Sequence, residues 1–150
     1  MPTKHVVIGN GPAGMHAIET IRKYDPTGSE IHLISNEPAY SRMVIPYWMA
    51  GIISESHVLT ANDDFYKKYH VTPHLGKPVT KVDPKAKRVT MDGGTNVEFD
   101  TLLIATGSSA VKPPIPGVDL TGVHNLWTMD DARVVAPRSQ PGQKWRELRQ

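Results

Sequence analysis

Cysteine is absent from the 150 residues. No disulfide framework, thiolate zinc site or redox-active thiol pair can therefore be built from this chain. Long apolar runs are missing too. Nothing reaches the roughly 18 residues of a membrane-spanning helix, and the opening MPTKHVVIGNG has no apolar signal core, so a cytoplasmic location is expected. A dominant charge is also lacking. The formal net charge is +2, and it arises at the end: residues 137–150 hold Arg138, Lys144, Arg146 and Arg149 against Glu147, leaving 13 basic and 14 acidic side chains in residues 1–136. A near-neutral body with a short basic Pro/Gly-containing tail, expected to be disordered, offers no electrostatic footprint for nucleic acid. The seven histidines are scattered. His70 and His74 have the right separation for one helix face, but Pro73 interrupts them, so no metal site is expected. No Ser/His/Asp constellation is discernible, and no catalytic residue is assigned.

What the chain does have is glycine in one place. HVVIGNGPAGMHA, His5 to Ala17, puts three glycines into six positions behind a β-branched run. His5–Ile8 reads as a short buried strand ended by Gly9. Pro12 suits the first turn of a helix, where its missing N–H costs nothing. Gly14, Met15, Ala17, Ile18 and Ile21 then make an apolar stripe at helical spacing, with Glu19, Arg22 and Lys23 outward. YDPTG, residues 24–28, stops that helix, and Ile31, Leu33 and Ile34 form a second strand. The unit is β–α–β, right-handed with parallel strands.

In that context Gly9-Asn10-Gly11-Pro12-Ala13-Gly14 matches G-x-G-x-x-G at a strand-to-helix turn. Gly9 allows the tight turn, Gly11 lets a pyrophosphate approach the backbone, and Gly14 lets the helix pack closely. Unsatisfied N–H groups and the macrodipole favour an anion there. Glu37, with Asn36 beside it, lies 23 residues beyond Gly14, close to the spacing of a carboxylate that hydrogen-bonds a ribose hydroxyl. No arginine stands at that spot to favour a 2′-phosphate. The pattern points to an adenine dinucleotide without choosing between NAD and FAD.

Residues 39–52, AYSRMVIPYWMAGI, read as a short apolar helix closed by Gly51. A polar helix follows around Asp63–Tyr69, capped by Asn62. Val79–Val82, Val89 with Met91, and Val97 with Phe99 then alternate around Asp83-Pro84-Lys85 and Asp92-Gly93-Gly94. This is a three-stranded antiparallel meander where a nicotinamide-binding fold would continue with a helix and a third parallel strand. Leu102–Ala105 reads as a fully buried strand running into Thr106-Gly107 and the exit KPPIPG.

Four landmarks, VVIGNGPAG, HLISNEP, YSRMVIPYWMAG and DTLLIATGSSAVKPPIPG, occur in this order between about Lys4 and Val135. Together they make the chain resemble the FAD-binding portion of the pyridine nucleotide-disulfide oxidoreductase superfamily, in its branch of ferredoxin and rubredoxin reductases, NADH oxidases and nitrite reductase flavin subunits. The resemblance implies an α/β fold: a Rossmann-like parallel sheet with an antiparallel three-stranded β-meander, as in glutathione-reductase-type FAD-binding domains. It implies that Gly9, Gly11, Pro12, Ala13 and Gly14 surround the FAD pyrophosphate and that Asn36 and Glu37 hold the adenosine ribose. Arg42 would lie near the pyrophosphate or flavin end, Val79 would meet the adenine through its backbone, and Ala105, Thr106 and Gly107 would form the turn beside the cofactor. Tyr47 stands where several relatives have lysine. Met43 and its neighbours replace the reactive cysteine of the disulfide branch, which excludes thiol-relayed chemistry.

The resemblance further implies a partial FAD-binding domain over residues 1–136, passing electrons from NAD(P)H through FAD to a protein or small-molecule acceptor. The nicotinamide-binding domain of such proteins would follow DDARVVAPRSQPGQK. Here WRELRQ closes the chain, so an N-terminal piece of a longer flavoenzyme, inactive alone, is expected. The alternative is a non-catalytic adenine-dinucleotide-binding module.

Overall fold

A computed structural model describes residues 1–138 and Lys144. In chain order its regular elements are β1 (Lys4–Ile8), α1 (Pro12–Tyr24), β2 (Glu30–Ser35), α2 (Ile45–Met49), α3 (Asp63–Lys68), β3 (Val71–Leu75), β4 (Val79–Asp83), β5 (Arg88–Met91), β6 (Asn96–Glu98), β7 (Thr101–Ile104) and α4 (Met129–Val135). They fall into two compact units. One combines Met1–Ser41 with Leu59–Gly107, and the other combines Arg42–Val58 with the chain from Ser108 onward.

The first unit is a three-layer α/β arrangement. Its central sheet has the order β3-β2-β1-β7, all parallel, with Val7 opposite both Leu33 and Leu103. The period-two alternation of β1 and β2 sends apolar side chains to both faces. Val7, Ile31 and Leu33 meet Ile18 of α1, Tyr66 of α3 and Val71 on one side. Val6, Ile8 and Ile34 meet Val89, Met91, Val97 and Phe99 on the other. That second layer is the meander β4-β5-β6, antiparallel throughout, with Gly93 and Gly94 both at positive φ in its last turn. The Rossmann-like sheet and the meander are thus both present.

Three local expectations are revised, one of them the outward Arg22, which is buried against the end of α3. Residues 71–75 form a third parallel strand, β3, beside β2. Pro73 lies within it, and β3 tolerates this residue because it is an edge strand, where one row of backbone groups has no ladder partner to satisfy. Leu102–Ala105 is not fully buried. β7 is the opposite edge and ends at Ile104; Leu102 packs on the meander cluster, but Leu103 is 40% exposed and Ile104 62%. Apolar composition cannot distinguish a central parallel strand from an edge strand covered on one face only.

In the second unit, a 3₁₀ turn at Arg42–Val44 runs into α2, and Gly51 follows at positive φ. α4 begins with a reciprocal cap in which Thr128 Oγ1 accepts from the Asp131 N–H and the Asp131 carboxylate accepts from the Thr128 N–H. Arg133 joins the Asp130 and Glu55 carboxylates on the surface.

One buried cation organises the first unit. Arg22 of α1 is 7% exposed, and its guanidinium donates to the Tyr69 carbonyl (2.6 Å), the His70 carbonyl (2.9 Å) and Ser29 Oγ (3.1 Å). These are the carbonyls left over where α3 ends, next to His70 at a φ of 47°, so Arg22 closes α3 and aims the chain into β3. Arg22→Met should lower the free energy of unfolding by about 2–4 kcal/mol in urea denaturation, since it removes charge-assisted bonds from two part-buried carbonyls and the buried Ser29 hydroxyl. A loss below about 1 kcal/mol would show that these carbonyls find water instead.

Candidate functional site

The β1–α1 corner is built from main chain. The Gly9 N–H donates to the Ile34 carbonyl and the Ala105 N–H to the Ile8 carbonyl, both at 2.8 Å, so the ends of β2, β1 and β7 are knitted together there. Gly9 has a φ of 103°, and a Cβ on it would overlap the Ala105 carbonyl and lie 3.1 Å from the Thr106 Cα. A Cβ on Gly14 would overlap the Gly9 carbonyl oxygen and come within 3.3 Å of Val7 Cγ1. These two glycines are required by the protein's own packing. Gly11 differs: its φ is −71°, and nothing in the chain lies within 4 Å of where a Cβ would be.

Gly11 is also the N-cap of α1 and supplies no side-chain acceptor. Pro12 follows, and the first turn has no acid. By contrast, α3 is capped by Asn62 and opens with Asp63 and Asp64, while α4 has its Thr128 cap with Asp130 and Asp131. Helix geometry leaves the first-turn N–H groups without intrahelical acceptors. At α1 neither a cap nor an acidic side chain offsets the positive end of the helix.

Beside this corner lies the turn after β2. Asn10, buried between two of the glycines, donates through Nδ2 to the Glu37 carbonyl at 2.7 Å. The Glu37 N–H reaches Ser35 Oγ at 3.3 Å, and its carboxylate accepts from the Tyr40 hydroxyl at 2.6 Å. The structure therefore links the glycine turn to Asn36-Glu37 directly. Asn10 and Tyr40 were not among the expected site residues. For Asn10 the signal was present, because an amide locked between two fingerprint glycines can reach only what adjoins the turn.

Ala105, Thr106 and Gly107 follow β7, and Gly107 has a φ of 68° with open space around its Cβ position. Ala105 and Thr106 thus flank the glycine turn. Val79 opens β4 opposite Met91 and packs on the meander cluster. Arg42 belongs to the second unit. There its guanidinium lies over the Trp127 ring at 5.3 Å, while the Trp127 indole N–H donates to the Ser108 carbonyl.

The model of one protein family, pyridine nucleotide-disulphide oxidoreductase, matches residues 3–146. The chain belongs to this family. Among its relatives, the assimilatory nitrate reductase electron transfer subunit of Bacillus subtilis is 32% identical over 93% of this chain and 18% of its own length. The ferredoxin reductase component of a chlorobenzene dioxygenase from Cupriavidus sp. is 35% identical over 89% of this chain and 33% of its own. Among solved structures, the NADH:rubredoxin oxidoreductase of Clostridium acetobutylicum superposes with a TM-score of 0.77 at 28% identity, covering 91% of this chain and 35% of that one. The chain thus spans a third or less of the length of these two sequence relatives. Among the described residues of this family member, no helix is long and apolar enough to cross a membrane.

The glycine geometry separates two roles by experiment. Gly9→Ala and Gly14→Ala should each destabilise the fold by more than about 2 kcal/mol in thermal or urea unfolding, because their Cβ atoms meet backbone. Gly11→Ala should stay within about 1 kcal/mol of the parent. Equal losses at all three would contradict the open Cβ position at Gly11.

Proposed function

We propose that this chain is the N-terminal FAD-binding portion, residues 1–136, of a flavin-dependent NAD(P)H oxidoreductase that works in the cytoplasm without a redox-active disulfide. The observation that carries the reading is the open position at Gly11. A glycine kept where the chain itself leaves room for a methyl group, at a helix start with no acid or cap, fits a diphosphate brought against that backbone. The donor set suits the group: the first-turn amides of α1 at Ala13 and Gly14 for the pyrophosphate, and Asn36 and Glu37 for the adenosine ribose. Val79 would flank the adenine, and Ala105, Thr106 and Gly107 would form the turn beside the cofactor.

When bound, FAD supplies the hydride-accepting ring through which electrons from a nicotinamide reach an acceptor. The residues of this chain bind and orient. Glu37, held at its carboxylate by Tyr40 and at its carbonyl by Asn10, is pre-aimed rather than free to sweep solvent. That spares part of the ordering cost of binding. The acceptor would be a redox protein or a small molecule. The names of relatives, a ferredoxin reductase component and an NADH:rubredoxin oxidoreductase, favour the first.

The competing reading is a dinucleotide-binding module without turnover. Both readings place an adenine nucleotide at the glycine turn, and the first requires it to be FAD. Purified chain titrated with FAD should quench flavin fluorescence to saturation, and Gly11→Val should weaken binding at least about tenfold while leaving the fold intact. Saturation unchanged in Gly11→Val would place the diphosphate elsewhere. Anaerobic NADH should leave the bound flavin of the 150-residue chain largely unbleached; rapid stoichiometric bleaching would show that this portion binds the hydride donor by itself.

A further inference from the structure

Two histidines meet across the neighbouring parallel strands β2 and β3, the first of which runs into the Asn36-Glu37 turn. His32 Nδ1 of β2 and His74 Nε2 of β3 are 3.1 Å apart. The ring centroids are 5.4 Å apart and the planes differ by 18°. The centroids are separated by about one ring width more than the nitrogens, so the rings lie edge to edge and nearly coplanar, each facing nitrogen aimed at the other. Two lone pairs pointed head-on do not converge on a metal ion. They suit one shared proton.

The tautomer follows from the surroundings. Glu30 Oε2 lies 3.9 Å from the far nitrogen of His32 and 3.9 Å from Lys4 Nζ of β1. A carboxylate there favours a proton on His32 Nε2, which leaves Nδ1 as acceptor and makes His74 Nε2 the donor. A first added proton can go to the far side of His74 and keep this bond. A second must go on His32 Nδ1, which breaks the bond and sets two cations face to face.

The pair matters because of where β3 is fastened. β3 is an edge strand containing Pro73, and of its five side chains only Val71 is buried. His74 stands opposite Ile34 and Leu75 opposite Ser35, and just beyond them the Lys77 N–H donates to the Ser35 carbonyl at 3.2 Å. Ser35 in turn receives the Glu37 N–H. We propose that His32 and His74 form a proton-sharing dyad that positions the Ser35–Glu37 turn, so that acid loosens the turn and weakens dinucleotide binding at it. The inference rests on the reading of Glu37 as a ribose-binding residue.

The titration has a definite sign. Burial holds His32 below its ordinary value, with Lys4 adding to that and Glu30 opposing it; burial and the facing His32 do the same for His74. The unfolded chain therefore takes up these protons first as pH falls through the ordinary imidazole range. Stability contributed by the dyad is complete above that range and is lost below it.

The test is the FAD affinity of the 150-residue chain, followed by flavin fluorescence from pH 8 to pH 5, with a ligand whose own groups do not titrate in that window. The parent should weaken about tenfold or more across the window. His74→Gln keeps an N–H donor for His32 but cannot be charged; it should bind like the parent at pH 8 and weaken less than about threefold by pH 5. A parent-like pH slope in His74→Gln overturns the dyad while leaving FAD binding in place. Absence of FAD binding at every pH would overturn the dinucleotide reading instead. The dyad is then decided by the backbone amide resonances of Lys77 and Glu37: movement with the histidine titration in the parent but not in His74→Gln supports it, and stillness in both overturns it.

Discussion

A steric contact between backbone segments holds the first unit in register. The Gly9 carbonyl occupies the space where residue 14 would carry its Cβ, and the Ala105 carbonyl occupies the corresponding space at residue 9. The end of β1, the first turn of α1 just after it, and the exit of β7, remote in the chain, therefore approach as closely as main chain allows. Side-chain packing follows from that approach. Ile18 can reach Val7, Ile31 and Leu33 because α1 is laid down on the sheet at its first turn, and Arg22 one turn later can reach the end of α3.

The same closeness leaves the start of α1 exposed as a patch of backbone donors. Most helix starts are neutralised locally by a capping side chain and acids, as at α3 and α4. At α1 the residues that would do this are glycine, proline and alanine, so the helix itself supplies neither a cap nor a first-turn acid. The fold thus concentrates unsatisfied polarity at one corner and braces it through Asn10 against the turn that holds Glu37. Membership of the pyridine nucleotide-disulphide oxidoreductases gives that corner a chemical context.

Much of this was legible in the sequence because the signals were local. The β–α–β unit follows from a β-branched run, a Gly-Pro corner and a helical stripe, and the meander from alternating Val89, Met91, Val97 and Phe99 around glycine turns. What escaped depended on neighbours that are remote in the chain. Val71–Leu75 carries a proline between Thr72 and His74, so its composition does not announce a strand; pairing with β2 makes it one. Leu102–Ile104 looks central because it is apolar, whereas its exposure is set by its place at the sheet edge. The expectation for residues 137–150 falls mainly outside the described residues. His74 was weighed against His70, its neighbour in sequence, but its contact in space is His32, 42 positions away.

The most direct test of the diphosphate seat is a map of which backbone amides respond when FAD is added to isotopically labelled chain. The largest changes are expected at Ala13 and Gly14, with further sets at Asn36 and Glu37, at Val79 and at Ala105, Thr106 and Gly107. Saturable binding whose responses avoid the start of α1 would contradict the account, whatever its affinity.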